Sequence, residues 1–337
     1  MKALVYYGPK DLRVTEIEDP KISKDEVFIK VRACGICGSD VHGYLGVTGR
    51  RIPPMIMGHE FSGEIIERGE AVKNLSIGDR VTVYPVRFCE VCSACKKGLT
   101  NLCENKSFLG VMNVNGAMAE YISVPSYMVV RLPDSLNYLQ GAMIEPLAVA
   151  YRAVKNSPNL LNKNVLIVGA GTIGLLVLIL LRPFGVESIT VVDVNSHRLK
   201  TAKELGADFT INPNKDEPKN GFLPDIDLAF EAVGSTSSVT QAMNRLKPGG
   251  ACIWIGNSAK NIELDMQNIV TRELKVFGTY IYTYEEFVQS IGLISKLSDK
   301  LDKIISKIIS LEEAPEIFNK LIEKDTNLIK VIIRLSS

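Results

Sequence analysis

The chain carries almost no net charge: 39 Lys and Arg against 38 Asp and Glu leave +1 over 337 residues, with a pI near 7.5. It also has no basic run, so long-range attraction for nucleic acid or an acidic membrane is missing and neither partner is expected. Internal repeats and low-complexity linkers are absent. The start, MKALVYYGPKDLRV, lacks the uninterrupted apolar core of a signal peptide, which points to the cytoplasm. One segment, Val165 to Leu181, invites a membrane reading, but it is short for a span and holds Gly169, Gly171 and Gly174. It reads better as a buried strand, a tight turn and a buried helix. What is present is 46% hydrophobic content, enough to fill the cores of two domains in a chain of this length.

Four of the seven cysteines fall within fifteen residues, as Cys89-x2-Cys92-x2-Cys95-x7-Cys103. In a reducing compartment such a cluster indicates ligands rather than disulfides. Four thiolates at this pitch can close a tetrahedral shell around Zn²⁺ with no open position, which describes a structural site. An iron–sulfur cluster is the rival, since the first three cysteines share the ferredoxin-type spacing, although the trailing proline of that pattern is missing.

The first 130 or so residues read as short β segments separated by turns: KALVYY, VFIKVRA, FSGEIIERG, RVTVYPV, MAEYISVP and MVVRLP. That is barrel-like patterning. Helical character begins near residue 140 and covers Leu139 to Asn156. After Asn164, strand-like and helical runs alternate through NVLIVG, SITVVD, ADFTIN, DIDLAFEAVG, GACIWIG and ELKVFGTY, the pattern of a parallel sheet covered by helices. The tail from Tyr284 reads as helix and then a final strand, KVIIRL, which could rejoin the first domain.

Within the second half, a strand runs into Gly169-x-Gly171-x-x-Gly174 and on into an apolar helix that includes Ile173. The first glycine makes the turn, the second admits a pyrophosphate to the backbone, and the third lets helix and strand pack closely. Phosphate would sit at the helix N-terminus. The next strand, SITVVD, ends in Asp193, nineteen residues past Gly174. An acid there accepts hydrogen bonds from adenine ribose hydroxyls and repels a 2′-phosphate, favouring NAD over NADP. Arg198 could cover the adenine or the ribose, as could His197; solvated helix positions are the alternative for both.

A second cluster, Cys37-Gly38-Ser39-Asp40-Val41-His42 with Gly58-His59-Glu60, offers S, N and O donors suited to a catalytic Zn²⁺ with an open position. Buried, inert residues are the ordinary alternative. Taken in order, CGICGSDVH, GHEFSG, GDRV, the four cysteines, EPLAVA, GAGTIG and VVD resemble the zinc-dependent medium-chain alcohol dehydrogenase family over nearly the whole chain.

That resemblance implies an α/β protein with a GroES-like β-barrel catalytic domain, residues 1–147 and 286–337, and a Rossmann domain, residues 148–285. It implies two zincs per chain, the structural one on the four cysteines and the catalytic one on Cys37, His59, Glu60 and Glu145, with Glu60, Glu145 or water completing the shell at a given step. A cysteine usually stands at the Glu145 position in the ethanol-oxidising branch, so this chain leans toward the polyol and threonine dehydrogenase branches. Ser39 and His42 would carry the alcohol proton to solvent, and Asp40 would orient the His59 ring. Ile255 to Asn257, Thr279, Tyr280 and Glu231 to Gly234 match cofactor contacts at strand ends. Tyr44, Arg50 and Arg152 could line a polar substrate pocket, packing or surface roles being the alternative, and Cys34 and Cys252 read as core thiols. The expected activity is NAD-dependent oxidation of a secondary alcohol in a polyol, sugar alcohol or sugar alcohol phosphate. Threonine or 2,3-butanediol are the alternative substrates, and a silent NAD- and zinc-binding protein is the remote one. A homo-oligomer, tetramer or dimer, is implied by analogy.

Overall fold

A computed structural model of the chain describes residues 1–216, 224–323 and 326–335. Two compact units result: Met1–Glu145 with Tyr282–Leu301 and Ile305–Ser337, and Pro146–Ile281 with Asp302–Ile304. The chain therefore passes from one to the other beside Glu145 and returns beside Tyr282.

The first unit is β-rich. Its seven-stranded sheet is built around Glu26–Ile36, which pairs antiparallel with Glu60–Arg68, Tyr121–Pro125 and Lys330–Arg334. The final strand KVIIR thus rejoins the first domain, as its sequence pattern suggested. Buried side chains from both ends of the chain share one core, among them Ile29, Val31, Phe61, Val81, Ile317, Phe318 and Ile333. The short pairs Met55–Ile56 and Ser107–Phe108 lie outside the segments read as strands, as do two longer strands, Asp11–Glu16 and Ile305–Ile309. The last has the pattern ISKII, whose lysine and serine interrupt the apolar signal, and it is held by parallel pairing to Lys330–Arg334.

The second unit has one six-stranded sheet, entirely parallel. In spatial order its strands are Phe209–Ile211, Ser188–Val192, Asn164–Val168, Ile226–Glu231, Leu246–Trp254 and Lys275–Gly278. In order of appearance this is 3-2-1-4-5-6, the Rossmann order, with its switch point between the first and fourth strands. Four of the five residues in Asn164–Val168 are buried, as expected of a strand covered on both faces. The helix Thr172–Leu181 buries every residue from Gly174 to Leu181. Its all-round apolarity reflects burial in protein, and among the described residues no helix is long and apolar enough to cross a membrane.

Candidate metal centres and cofactor site

The strand Glu26–Ile36 delivers Cys37 to the N-cap of a short helix, Gly38–Tyr44. A capping box fixes this corner: the Cys37 backbone N–H donates to Asp40 Oδ2 at 3.1 Å, and the Ser39 N–H donates to the Cys37 sulfur at 3.5 Å. A side-chain acceptor at the N-cap satisfies a helix N–H that would otherwise be unpaired. His59 and Glu60 sit at the start of the neighbouring strand, Glu60–Arg68, which pairs Glu60 with Gly35. Register therefore brings all three donors to one place, and their ligand atoms lie within 4.8 Å of one another.

Glu60 is held from two sides. Its carboxylate lies so close to Gly35 that a side chain there would overlap Oε2. Lys330 Nζ donates to that same oxygen at 2.6 Å and to the Ile36 carbonyl at 3.0 Å, with both charged side chains 2% exposed. Burial alone would lower the lysine's pKa, yet the negative groups around it, Glu60 and Cys37 foremost, carry it above its ordinary value. Asp40, fully buried, links the ligand set to another cation. Its Oδ1 accepts from Arg51 Nη2 at 2.9 Å and faces His59 Nδ1 at 3.8 Å. That spacing orients charge toward the imidazole without a hydrogen bond, and His59 Nδ1 is buried without a partner in the protein.

Of the four expected ligands of the catalytic metal, three are gathered; Glu145 lies outside the 4.8 Å group. It stands in the first turn of the helix Ile144–Lys155, 4% exposed, and its Oε1 accepts from the Tyr282 hydroxyl at 2.7 Å. Burial pushes its carboxyl up to about 7, enough for it to exchange a proton near neutrality. Ser39 is exposed and its Oγ accepts from Arg51 Nη2 at 3.2 Å. His42 is half-buried on the same helix, and desolvation lowers its pKa from 6.5. Arg51, Lys330 and Tyr282 were missed in the sequence. For Lys330 the only signal in sequence is a lysine opening the apolar run KVIIR; its burial, which calls for a counter-charge, is visible in the fold alone.

The four-cysteine segment also closes on itself. The sulfurs of Cys89, Cys92, Cys95 and Cys103 lie within 4.8 Å of one another, and Cys89 and Cys103 approach to 3.5 Å. Backbone N–H groups point at them: that of Cys92 donates to Cys89, and that of Cys89 to Cys103, both at 3.4 Å. The N–H groups of Cys95 and Glu104 favour the thiolate of Cys92 and bring its pKa down to about 6. Burial and the neighbouring sulfurs push Cys95 up to about 12, so the four sulfurs share protons until a cation draws them together. A pre-gathered set with no oxygen or nitrogen donor fits a closed, structural Zn²⁺.

At the glycine turn the three positions differ in what their surroundings allow. Gly169 has φ +99°, a Cβ on Gly171 would meet nothing within 4 Å, and one on Gly174 would overlap the Gly169 carbonyl oxygen. The helix Thr172–Leu181 begins without a side-chain cap, and Ile173 is half-buried in its first turn. Asp193 reaches back to this turn, accepting from Ala170 N–H at 2.7 Å and from Asn195 N–H at 2.8 Å. Each of its oxygens keeps a lone pair for a ribose hydroxyl. At the switch point, buried Glu231 accepts from the N–H groups of Val233 and Gly234 through Oε1. Ile255 N–H bonds the Glu231 carbonyl, and Thr279 N–H bonds that of Trp254, leaving Thr279 Oγ1 buried without a protein partner. An open glycine and an unpartnered hydroxyl at the carboxyl ends of the strands suit a dinucleotide.

The softer candidates separate. Tyr44 is a packing residue, buried with its hydroxyl donating to Asn319 at 2.6 Å. Arg50 is exposed, Arg152 half-buried on the helix Ile144–Lys155, and His197 exposed on Ser196–Glu204 beside half-buried Arg198. Cys34 and Cys252 are buried, and burial pushes both thiols up, that of Cys252 to about 12.

Residues 23–134 match the family described as alcohol dehydrogenase GroES-like domain, and residues 172–296 that described as zinc-binding dehydrogenase. The (R,R)-butanediol dehydrogenase of Bacillus subtilis (strain 168) is 35% identical, with 99% of each chain covered. Sorbitol dehydrogenase of the same organism is 32% identical over 99% of this chain and 97% of that one. Among solved structures, a zinc-binding dehydrogenase from Sinorhizobium meliloti 1021 bound to NADP superposes with a TM-score of 0.90 at 30% identity, covering 99% and 98% of the two chains. With this full-length likeness on top of the two donor clusters and the glycine turn, the chain belongs to the zinc-dependent medium-chain alcohol and polyol dehydrogenase family.

Proposed function

We propose that this chain oxidises a secondary alcohol of a polyol or sugar alcohol to the ketone, with NAD as hydride acceptor and Cys37, His59 and Glu60 as the protein ligands of the catalytic zinc. The gathered trio of S, N and O donors, with His59 and Glu60 buried and Cys37 partly so, carries this reading, because three protein ligands leave a position for substrate. Zinc there supplies Lewis acidity that labilises the alcohol proton near neutral pH, and the nicotinamide supplies the hydride acceptor.

The chain's own residues then have separate tasks. Ser39 accepts from Arg51, so its own hydroxyl proton is free to move toward substrate or onward. His42 is neutral at physiological pH because desolvation lowers its pKa, and so receives the proton and releases it to solvent. Asp40 holds the Cys37 corner and presents negative charge to His59. Glu145, with its carboxyl near 7, stands beside the trio as an exchangeable carboxylate. Cys89, Cys92, Cys95 and Cys103 hold a second zinc that braces their loop.

For the cofactor, Gly169, Gly171, Ile173 and Gly174 line the pyrophosphate turn, and Arg198, Ile255 and Thr279 are further contacts. The Asp193 carboxylate favours ribose hydroxyls over a 2′-phosphate. Seven free thiols agree with a reducing, cytoplasmic setting. The strand Lys275–Gly278 is the exposed edge of its sheet, with Val276 and Phe277 each 38% exposed. An uncovered apolar edge supports pairing with a second copy. The full-length likeness to a butanediol dehydrogenase keeps a small vicinal diol as the second reading.

One assay separates these readings: turnover of sorbitol, galactitol 1-phosphate, 2,3-butanediol and threonine, each with NAD and with NADP. Preference for a polyol with NAD is expected. Inactivity on every polyol overturns the substrate assignment, and preference for NADP overturns the role given to Asp193.

A further inference from the structure

We propose that Tyr282 is a positioning residue for Glu145, and that its own placement is set from inside the four-cysteine segment through Thr100 and Tyr84. The inference rests on the catalytic zinc reading above and extends it to residues that are not themselves metal ligands.

The hydrogen bonds run in one direction. Tyr282 donates its hydroxyl proton to Glu145 Oε1 at 2.7 Å. Its backbone carbonyl accepts from the Tyr84 hydroxyl at 3.2 Å, and that hydroxyl lies 2.9 Å from Thr100 Oγ1. Tyr84 has one hydroxyl proton, and the Tyr282 carbonyl can only accept. Thr100 must therefore donate to Tyr84. Thr100 Oγ1 in turn accepts from Tyr284 N–H at 3.0 Å, which ties both flanks of Thr283 to the segment. Each group in this series has its donor and acceptor assigned, and such a satisfied buried network fixes geometry more firmly than isolated bonds.

Packing leaves the Tyr282 ring no alternative. The residue is fully buried, its ring stacked on Phe287 at 5.7 Å and 22° and set edge-on to Tyr84 at 5.8 Å and 65°. Thr100 is 7% exposed and lies between Cys95 and Cys103, in the turn Thr100–Leu102. The glutamate gains most from this arrangement, because a carboxylate on a flexible stem would otherwise sample several orientations. A charge-assisted bond to one oxygen leaves the other as the end that can turn toward the Cys37, His59 and Glu60 group.

The consequence is a physical tie between the two metal centres. Closing the cysteine segment around its zinc sets Thr100, which orders Tyr84, which fixes the backbone and ring of Tyr282. Glu145 is the last member. Tyr282→Phe retains the ring and deletes only the donor, while Thr100→Val retains the shape of Thr100 and deletes the head of the series together with the acceptor of the Tyr284 N–H.

The test uses the full chain with Co²⁺ replacing both zincs, read by visible absorption and by steady-state kinetics. For Tyr282→Phe the expected result is altered absorption at the Cys37 centre and a kcat about 10- to 100-fold lower, the range for losing one charge-assisted hydrogen bond, with KM little changed. Thr100→Val should show the same spectral change, smaller, with both metals still bound. Wild-type spectrum and kcat in a folded Tyr282→Phe overturn the proposal. If Tyr282→Phe does not fold, Thr100→Val decides: a wild-type spectrum and kcat there overturn it equally. A wild-type protein that binds cobalt only at the four cysteines overturns the catalytic metal reading and this proposal with it.

Discussion

Replacing Lys330 by methionine should be among the most destabilising single changes available in the first unit. The substitution keeps length and apolar volume and removes one charge. In the native structure Nζ is 2.6 Å from Glu60 Oε2, with each side chain 2% exposed, so neither group has water to fall back on. Such a pair gains little against a well-packed apolar one, because desolvation offsets its Coulomb attraction. Breaking it from one side is different. The Glu60 carboxylate would stay buried against Gly35 with its cation gone, and the Ile36 carbonyl would lose a donor. The expected loss is about 3–5 kcal/mol in metal-free protein, or a thermal midpoint lower by roughly 6–20 °C for a domain of this size. With zinc bound, a second cation would stand beside Glu60, so the loss should shrink. The assay is denaturation of wild type, Lys330→Met and the double variant Glu60→Gln/Lys330→Met, each with and without chelator. The double variant should recover much of the loss, since neutral Gln needs no counter-charge. A loss below about 1 kcal/mol in chelated Lys330→Met, the value of an exposed pair, would refute the reasoning. An equal loss with and without zinc would detach Glu60 from the metal.

Two further outcomes concern the four cysteines and His42. Cys92→Ser should remove the metal of the four-cysteine segment while the Cys37 centre keeps its own, measured as a halving of zinc per chain. Loss of both metals, or of neither, would contradict the assignment of a separate ligand set to each metal. For His42, desolvation lowers the folded pKa below the unfolded 6.5. Between those values the unfolded chain holds more protons, so stability falls as pH falls through that window. His42→Phe should flatten this acid slope in urea midpoints; an unchanged slope would show that His42 is not desolvated in solution.

What could be read from sequence was whatever depends on near neighbours. Cysteine pitch, the glycine turn and the Cys37 to His42 corner are local, and each geometry repeats its spacing. The Rossmann strands were legible because buried parallel strands leave unbroken apolar runs. Two strands escaped for the converse reason: Asp11–Glu16 and Ile305–Ile309 carry exposed polar residues and exist through pairing partners. The partners of the site escaped more completely. Lys330 is 270 positions from Glu60 and Tyr282 is 137 from Glu145, and nothing in either local sequence names the carboxylate it meets. Arg50 and Arg51 look alike in sequence, and only the fold separates buried Arg51 from exposed Arg50.

Charge balance explains why these distant partners are there. Asp40 and Arg51 neutralise each other and leave the site's sum unchanged. With zinc held as proposed, its two positive charges are matched by a Cys37 thiolate and the Glu60 carboxylate, leaving Lys330 to balance Glu145. A buried site can hold four charged groups and a metal only if they sum close to zero. Take the metal away and three acids face one lysine. Burial then drives Cys37 and Glu145 toward their protonated forms, while Lys330 holds its proton more firmly than free lysine does. Metal uptake should therefore release protons, from Cys37 and, below about pH 7, from Glu145 as well, and affinity should rise with pH. The Tyr282 hydroxyl favours the ionised form of Glu145, so the same bond that aims this carboxylate also lowers the cost of its charge.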